Sequence, residues 1–207
     1  MKMKTVLAGA VCSIVSLAAM SAQATTLYSL AGPTPDMATD SSISATFGAA
    51  AGPGNASFII DGFASLDGQN YYEDDFTLSL NGAPILVGTF NLGGGGDNVV
   101  SFNPNGGSAS NISGNGTNVT FAGGQITVDE PLTLLSGTNT LTFNYTSLGG
   151  PDHAGFQGLG DEGWGLEQVA VTGAPGVPEP ATWAMMLVGF GGLGAAMRSR
   201  RGQSAAV

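Results

Sequence analysis

Basic side chains are absent from most of this chain. All five Lys and Arg residues lie near its ends, at positions 2, 4, 198, 200 and 201, so none occurs between residues 25 and 177. Of the 15 Asp and Glu residues, all except Glu179 fall in that span, which gives it a charge of about −14. A surface of that sign repels phosphate backbones, so nucleic acid is excluded as a partner.

Imidazoles and thiols are almost absent as well. His153 is the only histidine and Cys12 the only cysteine, which excludes a His-rich zinc site and, after residue 24, disulfides and cysteine nucleophiles. Asp152 adjoins His153 in sequence, where side chains usually diverge, and no G-x-S-x-G motif occurs. We therefore expect no enzyme. The alternative is a secreted glycan-active enzyme with paired carboxylates, because the many acids allow many pairs.

The N-terminus has the three parts of a secretory signal peptide. Basic residues at positions 2 and 4 precede the apolar residues 6–19, and Ala22 and Ala24 form an A-x-A cleavage site. This pattern predicts export through the Sec machinery and removal of residues 1–24 by signal peptidase, so that Thr25 becomes the first residue.

A lipoprotein signal, with Cys12 lipidated, is the alternative for the same segment. It is the weaker one, because Val11 stands where a small residue is expected and apolar sequence continues past Cys12. We therefore expect an ectodomain without any thiol.

An uncharged stretch lies near the C-terminus. Residues 181–197 contain no Asp, Glu, Lys or Arg, and as a helix they would span roughly 25 Å, enough for a single bilayer crossing. A basic tail at residues 198–207 follows, and its arginines place this end in the cytoplasm. Those arginines are Arg198, Arg200 and Arg201.

The linker before this stretch, residues 174–180, ends in Pro178-Glu179-Pro180. Proline has no N–H to donate and disfavours helix in the residue before it, so the tripeptide is expected to be extended and accessible just outside the membrane.

The order of Pro-Glu-Pro, an apolar segment with Trp183 and a basic tail resembles the PEP-CTERM sorting signal of Gram-negative bacteria. The resemblance implies that Pro178, Glu179 and Pro180 are recognised by exosortase, a membrane-embedded cysteine transpeptidase-like enzyme. The tail would be held transiently in the inner membrane and removed, and the ectodomain would pass to the cell surface or the extracellular matrix, near exopolysaccharide. A permanent single-span anchor in the periplasm is the alternative.

Residues 25–173 alternate with period two, which is typical of strands. Strands are expected at residues 42–47, 56–63, 76–80, 83–90, 97–102, 118–123, 125–130, 138–146 and 163–173. Asn81-Gly82 predicts a two-residue hairpin turn, and a change of phase near Glu167-Gln168 predicts a bulge. The glycine run at residues 92–97 is interpreted as a flexible hairpin loop. Together these patterns predict an all-β ectodomain, a β-sandwich or jelly roll.

Aromatic residues in polar surroundings make carbohydrate binding the favoured ectodomain function, in a structural or adhesive surface protein. Tyr71 and Tyr72 lie in a polar stretch, and Phe156 and Trp164 are further candidates. Aromatic rings offer flat apolar faces that can stack on the C–H face of a sugar. For Trp164, a position in the core is the competing interpretation.

Acidic stretches without basic partners suggest calcium, the one cofactor considered. Calcium prefers hard oxygen ligands carried on turns. Solvated turn acids are the competing interpretation, since neither stretch has EF-hand spacing. The candidate ligands are Asp67, Glu73, Asp74 and Asp75 in one stretch, with Asn70, and Asp161 and Glu162 in the other, with Glu167.

Overall fold

The computed structural model describes residues 24–114, 123–147, 158–174, 186–194 and 198. Twelve strands account for most of this part of the chain. In chain order they are β1 (Thr25–Leu30), β2 (Ser41–Ala49), β3 (Gly52–Ala64), β4 (Leu66–Asp67), β5 (Asp74–Leu80), β6 (Ala83–Thr89), β7 (Gly93–Gly95), β8 (Val99–Phe102), β9 (Ser108–Gly114), β10 (Gly124–Leu134), β11 (Gly137–Ser147) and β12 (Glu162–Gly173).

Ten of these strands form two five-stranded antiparallel sheets. The first sheet has the order β1-β12-β3-β10-β9 and the second β2-β11-β5-β6-β8. The pairs β1–β12, β2–β11, β3–β10 and β5–β6 are nested, as when a long antiparallel ribbon is folded over itself. Two sheets built in this way have the arrangement of a jelly roll. The strand β9 extends the first sheet beyond β10, and β8 extends the second sheet beyond β6. The prediction of an all-β ectodomain is therefore confirmed.

The core lies between the two sheets. Every second residue of the long strands is buried, as in β5, where residues at even positions from 74 to 80 face inward. Phe58 of the first sheet meets Phe143 of the second edge to face, with ring centroids 5.0 Å apart. Aromatic pairs of this geometry add stabilisation to the area they bury, so they join the two layers.

Two local predictions are confirmed. Asn81 and Gly82 connect β5 to β6 with φ of 53° and 83°, the two positive values that a type I′ hairpin turn requires. In β12 the register with β3 shifts between Glu167 and Ala170, and Gln168 has a φ of 52°. This bulge allows Leu166 and Val169 to be buried in the same core although their positions differ in parity.

The glycine run was interpreted wrongly. Gly93–Gly95 pairs in parallel with Leu66–Asp67, so it forms a small sheet rather than a hairpin loop. The strands β1 and β9 and the short β4 and β7 were also missed, because their sequences show no clear apolar alternation. Of the strand expected at residues 118–123, only Gly123 lies within the described residues.

Most residues of both terminal segments lie outside the part of the chain that the structure describes. The signal peptide of residues 1–24, apart from Ala24, and the Pro-Glu-Pro motif lie outside the described residues, as do Arg200 and Arg201. Residues 186–194 are helical, as is Arg198. Within the described ranges, no helix reaches the length and apolarity needed to cross a membrane, so the helix expected at residues 181–197 stays a prediction.

Candidate functional site

Acidic residues gather at one end of the sandwich. This acidic end is formed where β5 and β12 begin and β11 ends, and the segment before β2 closes it, since Asp40 N–H donates to Tyr145 O at 2.7 Å. Three short segments, 36–40, 67–75 and 161–162, bring eight acids to it. They are Asp36, Asp40, Asp67, Glu73, Asp74, Asp75, Asp161 and Glu162.

The two tyrosines lie on a loop at this end. We call residues 68–73, between β4 and β5, the tyrosine loop. Tyr71 and Tyr72 are 53% and 47% exposed, and their rings meet at 86° with centroids 5.1 Å apart. Two exposed rings at a right angle form an apolar corner on an otherwise polar loop, which is the kind of surface a sugar ring can contact.

A chain of hydrogen bonds fixes the tyrosine loop from below. Asp67 N–H donates to Asp74 Oδ2 at 2.9 Å and so closes the loop at its base. Asn70 Nδ2 donates to Asp67 Oδ1 at 2.7 Å, and Tyr72 N–H donates to Asn70 Oδ1 at 2.6 Å. The position of the tyrosine pair therefore depends on the buried carboxyl of Asp74.

Asp67, Asp74 and Glu162 are all buried, and we call them the acid cluster. The hydroxyl of Ser147 joins two of them, since its Oγ lies 2.8 Å from Asp74 Oδ1 and 2.8 Å from Glu162 Oε2. The hydroxyl oxygen of Thr39 also lies 2.7 Å from Ser147 Oγ. A serine hydroxyl has one hydrogen and can donate to only one carboxylate, so one of the two carboxyl groups must carry a proton or face an unfavourable contact between lone pairs.

Burial raises the pKa of Asp74 to about 7, against hydrogen bonds from Asp67 and Ser147 that lower it, and the charges of Glu162 and Asp67 raise it further. Below a pH of about 7 the proton is therefore held on Asp74, which can donate from Oδ1 to Ser147 and accept at Oδ2 from Asp67. Burial also raises the pKa of Asp67. Residues 25–177 contain no Lys or Arg that could offset these charges. His153 lies outside the described residues.

Trp164 is not part of an exposed surface. Its side chain is fully buried, its Nε1 donates to Ala38 O at 3.0 Å, and its ring packs on Tyr145 at a centroid distance of 5.8 Å. The carbohydrate role considered for Trp164 is therefore corrected: it is a core residue of β12. Phe156, the other aromatic candidate, lies outside the described residues.

The structure only partly assembles the candidate calcium ligands. Asp74 and Glu162 are bridged by Ser147, and Asp67 contacts Asp74 through its backbone N–H. The half-buried Asp75 has the outward parity of β5, and Glu73 lies in the tyrosine loop. Among the residues that the structure describes, no three or more His, Cys, Asp or Glu side chains are grouped so that they could hold a metal ion. Calcium stays a prediction without a preformed site in that part of the chain.

Two further buried acids were missed from the sequence. Asp61 of β3 accepts from Gln125 Nε2 at 2.7 Å, and burial raises its pKa to about 6. Glu130 of β10 faces the core, and burial raises its pKa as well. Glu130 has the same parity as Ile126 and Val128 in β10, so the alternation of this strand could have predicted that the Glu130 side chain faces the core.

The comparison with protein families concerns the C-terminal segment. A model of the PEP-CTERM protein-sorting motif matches residues 176–201. The chain carries a PEP-CTERM sorting signal. This bears out the resemblance of Pro178-Glu179-Pro180 and the segment after it, and it identifies an exported protein that is sorted by exosortase.

No curated protein matches this PEP-CTERM protein. Among solved structures, it is similar to BtGH115A, a family GH115 4-O-methyl-alpha-glucuronidase with specificity for decorated arabinogalactans, at 13% identity and a TM-score of 0.37. That match covers 84% of this chain and 20% of the glucuronidase. It is also similar to dimeric latent PorU from Porphyromonas gingivalis, at 14% identity and a TM-score of 0.31, over 67% of this chain and 10% of PorU. The chain thus spans a small fraction of either protein.

Proposed function

We propose that the mature protein is a surface or extracellular-matrix protein of a Gram-negative bacterium, which exosortase releases and which binds exopolysaccharide through the tyrosine loop. The sorting motif at residues 176–201 carries the first half of this proposal. The exposed, orthogonal pair of Tyr71 and Tyr72 carries the second. A role in the biofilm matrix follows from the two together.

The position of the tyrosine loop supports this role. The strand β12 begins at the acidic end and runs to Gly173 at the opposite end, roughly 40 Å away for an extended strand of this length. Ala174, which follows, is held there by Ala50 N–H at 3.0 Å. The sorting segment therefore leaves the domain from the end opposite the tyrosine loop, which keeps the loop accessible while the tail is still tethered.

The sorting half is tested by mass spectrometry of the exported form in a host that contains exosortase. We expect the wild-type product to have lost Arg198–Arg201, and Glu179→Ala to leave the tail uncleaved. Asp129→Ala, an exposed acid on β10, is the matched control and should be processed normally. Normal processing of Glu179→Ala contradicts recognition of the Pro-Glu-Pro motif, and a wild-type product that keeps its tail supports the permanent anchor.

The binding half is tested on a polysaccharide array with the variants Tyr71→Ala and Tyr72→Ala. Each should weaken binding by about two- to tenfold, because an aromatic contact contributes roughly 0.5–1.5 kcal/mol. Leu135→Ala removes an equally exposed apolar side chain, 57% exposed, at the opposite end, and it should bind as the wild type does. Release of sugar products by the wild type during the same incubation would instead support the glycan-active enzyme.

A further inference from the structure

The outer face of the second sheet is almost free of charge. Its five strands contain only two charged residues, Asp74, which faces the core, and Asp75 at the acidic end. By contrast, the first sheet carries three acids at positions of outward parity, Asp61, Asp129 and Glu167, and two more, Glu130 and Glu162, that face inward. In a domain with 14 acids and no Lys or Arg, the acids are thus largely kept off one broad surface.

Neutral polar side chains cover this face in register. Ser44 lies opposite Thr142 with their hydroxyl oxygens 3.1 Å apart, and Thr46 lies opposite Thr140 at 3.4 Å. These bonds hold the hydroxyls of neighbouring strands in fixed positions. The complete set on β2, β11 and β5 is Ser42, Ser44, Thr46, Thr77, Ser79, Thr138, Thr140, Thr142, Asn144 and Thr146.

One row of this face crosses all five strands and ends in an aromatic ring. The strand register aligns Ser42 with Asn144, Asn144 with Thr77, Thr77 with Val87, and Val87 with Phe102. Directly opposed residues point to the same side of a sheet, and Phe102 is 46% exposed. Four gaps between strands make the row about 19 Å long.

The chemistry of this row excludes several kinds of partner. Nucleic acids and anionic lipid surfaces need basic side chains, which the domain lacks. A protein interface needs an apolar core, and here the large apolar side chains are confined to Phe102 and Val87 at one edge. A neutral polysaccharide has both matching features, since its hydroxyls pair with serine, threonine and asparagine, and the C–H faces of its rings stack on an aromatic ring.

We propose that the outer face of the second sheet is a second binding surface, which takes a neutral polysaccharide chain lying across the strands from Phe102 to Ser42. This inference rests on the proposed function in so far as the ligand is a matrix polysaccharide. The surface itself is separate from the tyrosine loop, so the two can be tested independently.

The test uses the purified full chain on an array of neutral cellulose-, mannan- and galactan-type polysaccharides, printed beside their carboxymethylated forms. We expect binding to the neutral forms and at least tenfold weaker binding to the anionic ones. Phe102→Ala and Thr77→Glu should each lower the affinity by about tenfold, by loss of stacking and by a new charge on the face. Ser44→Glu replaces Thr77→Glu if that variant does not fold.

The matched control is Thr127→Glu, which puts the same charge on the outer face of the first sheet, where Thr127 of β10 is half-buried. It should bind within twofold of the wild type. Unchanged binding by Phe102→Ala and by the folded glutamate variant overturns this inference, as does equal binding of the carboxymethylated chains. If Tyr71→Ala alone loses binding, the proposed function stands and this inference fails. If the wild type binds no polysaccharide, both fail.

Discussion

The hydroxyl oxygen of Ser147 lies 2.8 Å from Oδ1 of Asp74 at the acidic end of the sandwich, where Asp74 is fully buried and Ser147 is half-buried. The same hydroxyl lies 2.8 Å from Glu162 Oε2, so the arrangement is satisfied only when a proton is held between the two carboxyl groups. Asp74 also accepts from Asp67 N–H at the base of the tyrosine loop. The protonation state of Asp74 therefore affects both the stability of the fold and the position of this loop, and the first two predictions depend on it.

Asp74→Asn should remove a pH dependence of stability. Because the folded-state pKa of Asp74 is about 7 and its usual value is 3.8, its contribution to folding is complete below 3.8 and lost as the pH rises through about 7. The loss amounts to roughly 2–4 kcal/mol by linkage. At pH 8 the variant should therefore unfold at higher denaturant concentration than the wild type.

Denaturant unfolding between pH 4 and pH 8, in the presence of a chelator, measures this effect. At pH 4 the two proteins should differ by about 1 kcal/mol or less, since an amide can also donate to Ser147 and accept from Asp67. Asp129→Asn, on the exposed side of β10, is the control and should keep the wild-type profile. Parallel profiles for Asp74→Asn and the wild type would contradict the shared proton.

Calcium should compete with this proton if the acid cluster recruits it. The expected result is that millimolar calcium raises the melting temperature and a chelator lowers it, with the larger effect at pH 8, above the pKa of Asp74. Asp74→Asn should reduce the response, because it removes one hard oxygen ligand. Identical melting curves with calcium and with chelator would end the calcium hypothesis.

Trp164→Phe should destabilise the fold without affecting sugar binding. The change removes the bond from Nε1 to Ala38 O and part of the ring buried against Tyr145. We expect the free energy of unfolding to fall by about 1–3 kcal/mol, as measured by denaturant titration. Binding per folded molecule should equal that of the wild type, and selective loss of binding at full stability would restore Trp164 as a ligand contact.

Gly94→Ala should disturb the base of the tyrosine loop. A Cβ at this position would meet the carboxylate of Asp67, with Oδ1 only 2.6 Å away, and Asp67 is the residue that orients Asn70. We expect a loss of about 1–3 kcal/mol in unfolding free energy and weaker polysaccharide binding. Gly48→Ala has open space around its Cβ and an ordinary φ, so its stability should change by about 0.5 kcal/mol or less.

Much of the fold could be predicted from local pattern. The strands with clear alternation, such as the one around Leu78, and the turn at Asn81-Gly82 depend on interactions between residues close in sequence. The bulge at Gln168 could be located for the same reason, since a change of parity within one strand is visible without any partner. The strands β1 and β9 could not be predicted, because their sequences show no clear apolar alternation and only pairing with distant strands holds them in place.

The sequence by itself determined the export signal expected at the N-terminus, the sorting motif near the C-terminus and the absence of Lys and Arg between them. Each of these depends on residue type and order alone. Only the tertiary structure decided that Trp164 is buried, that Asp74 meets Glu162 across Ser147, and that Phe102 lines up with Ser42. Those relationships join residues tens of positions apart, and the pairing of distant strands, which no local periodicity encodes, brings them together.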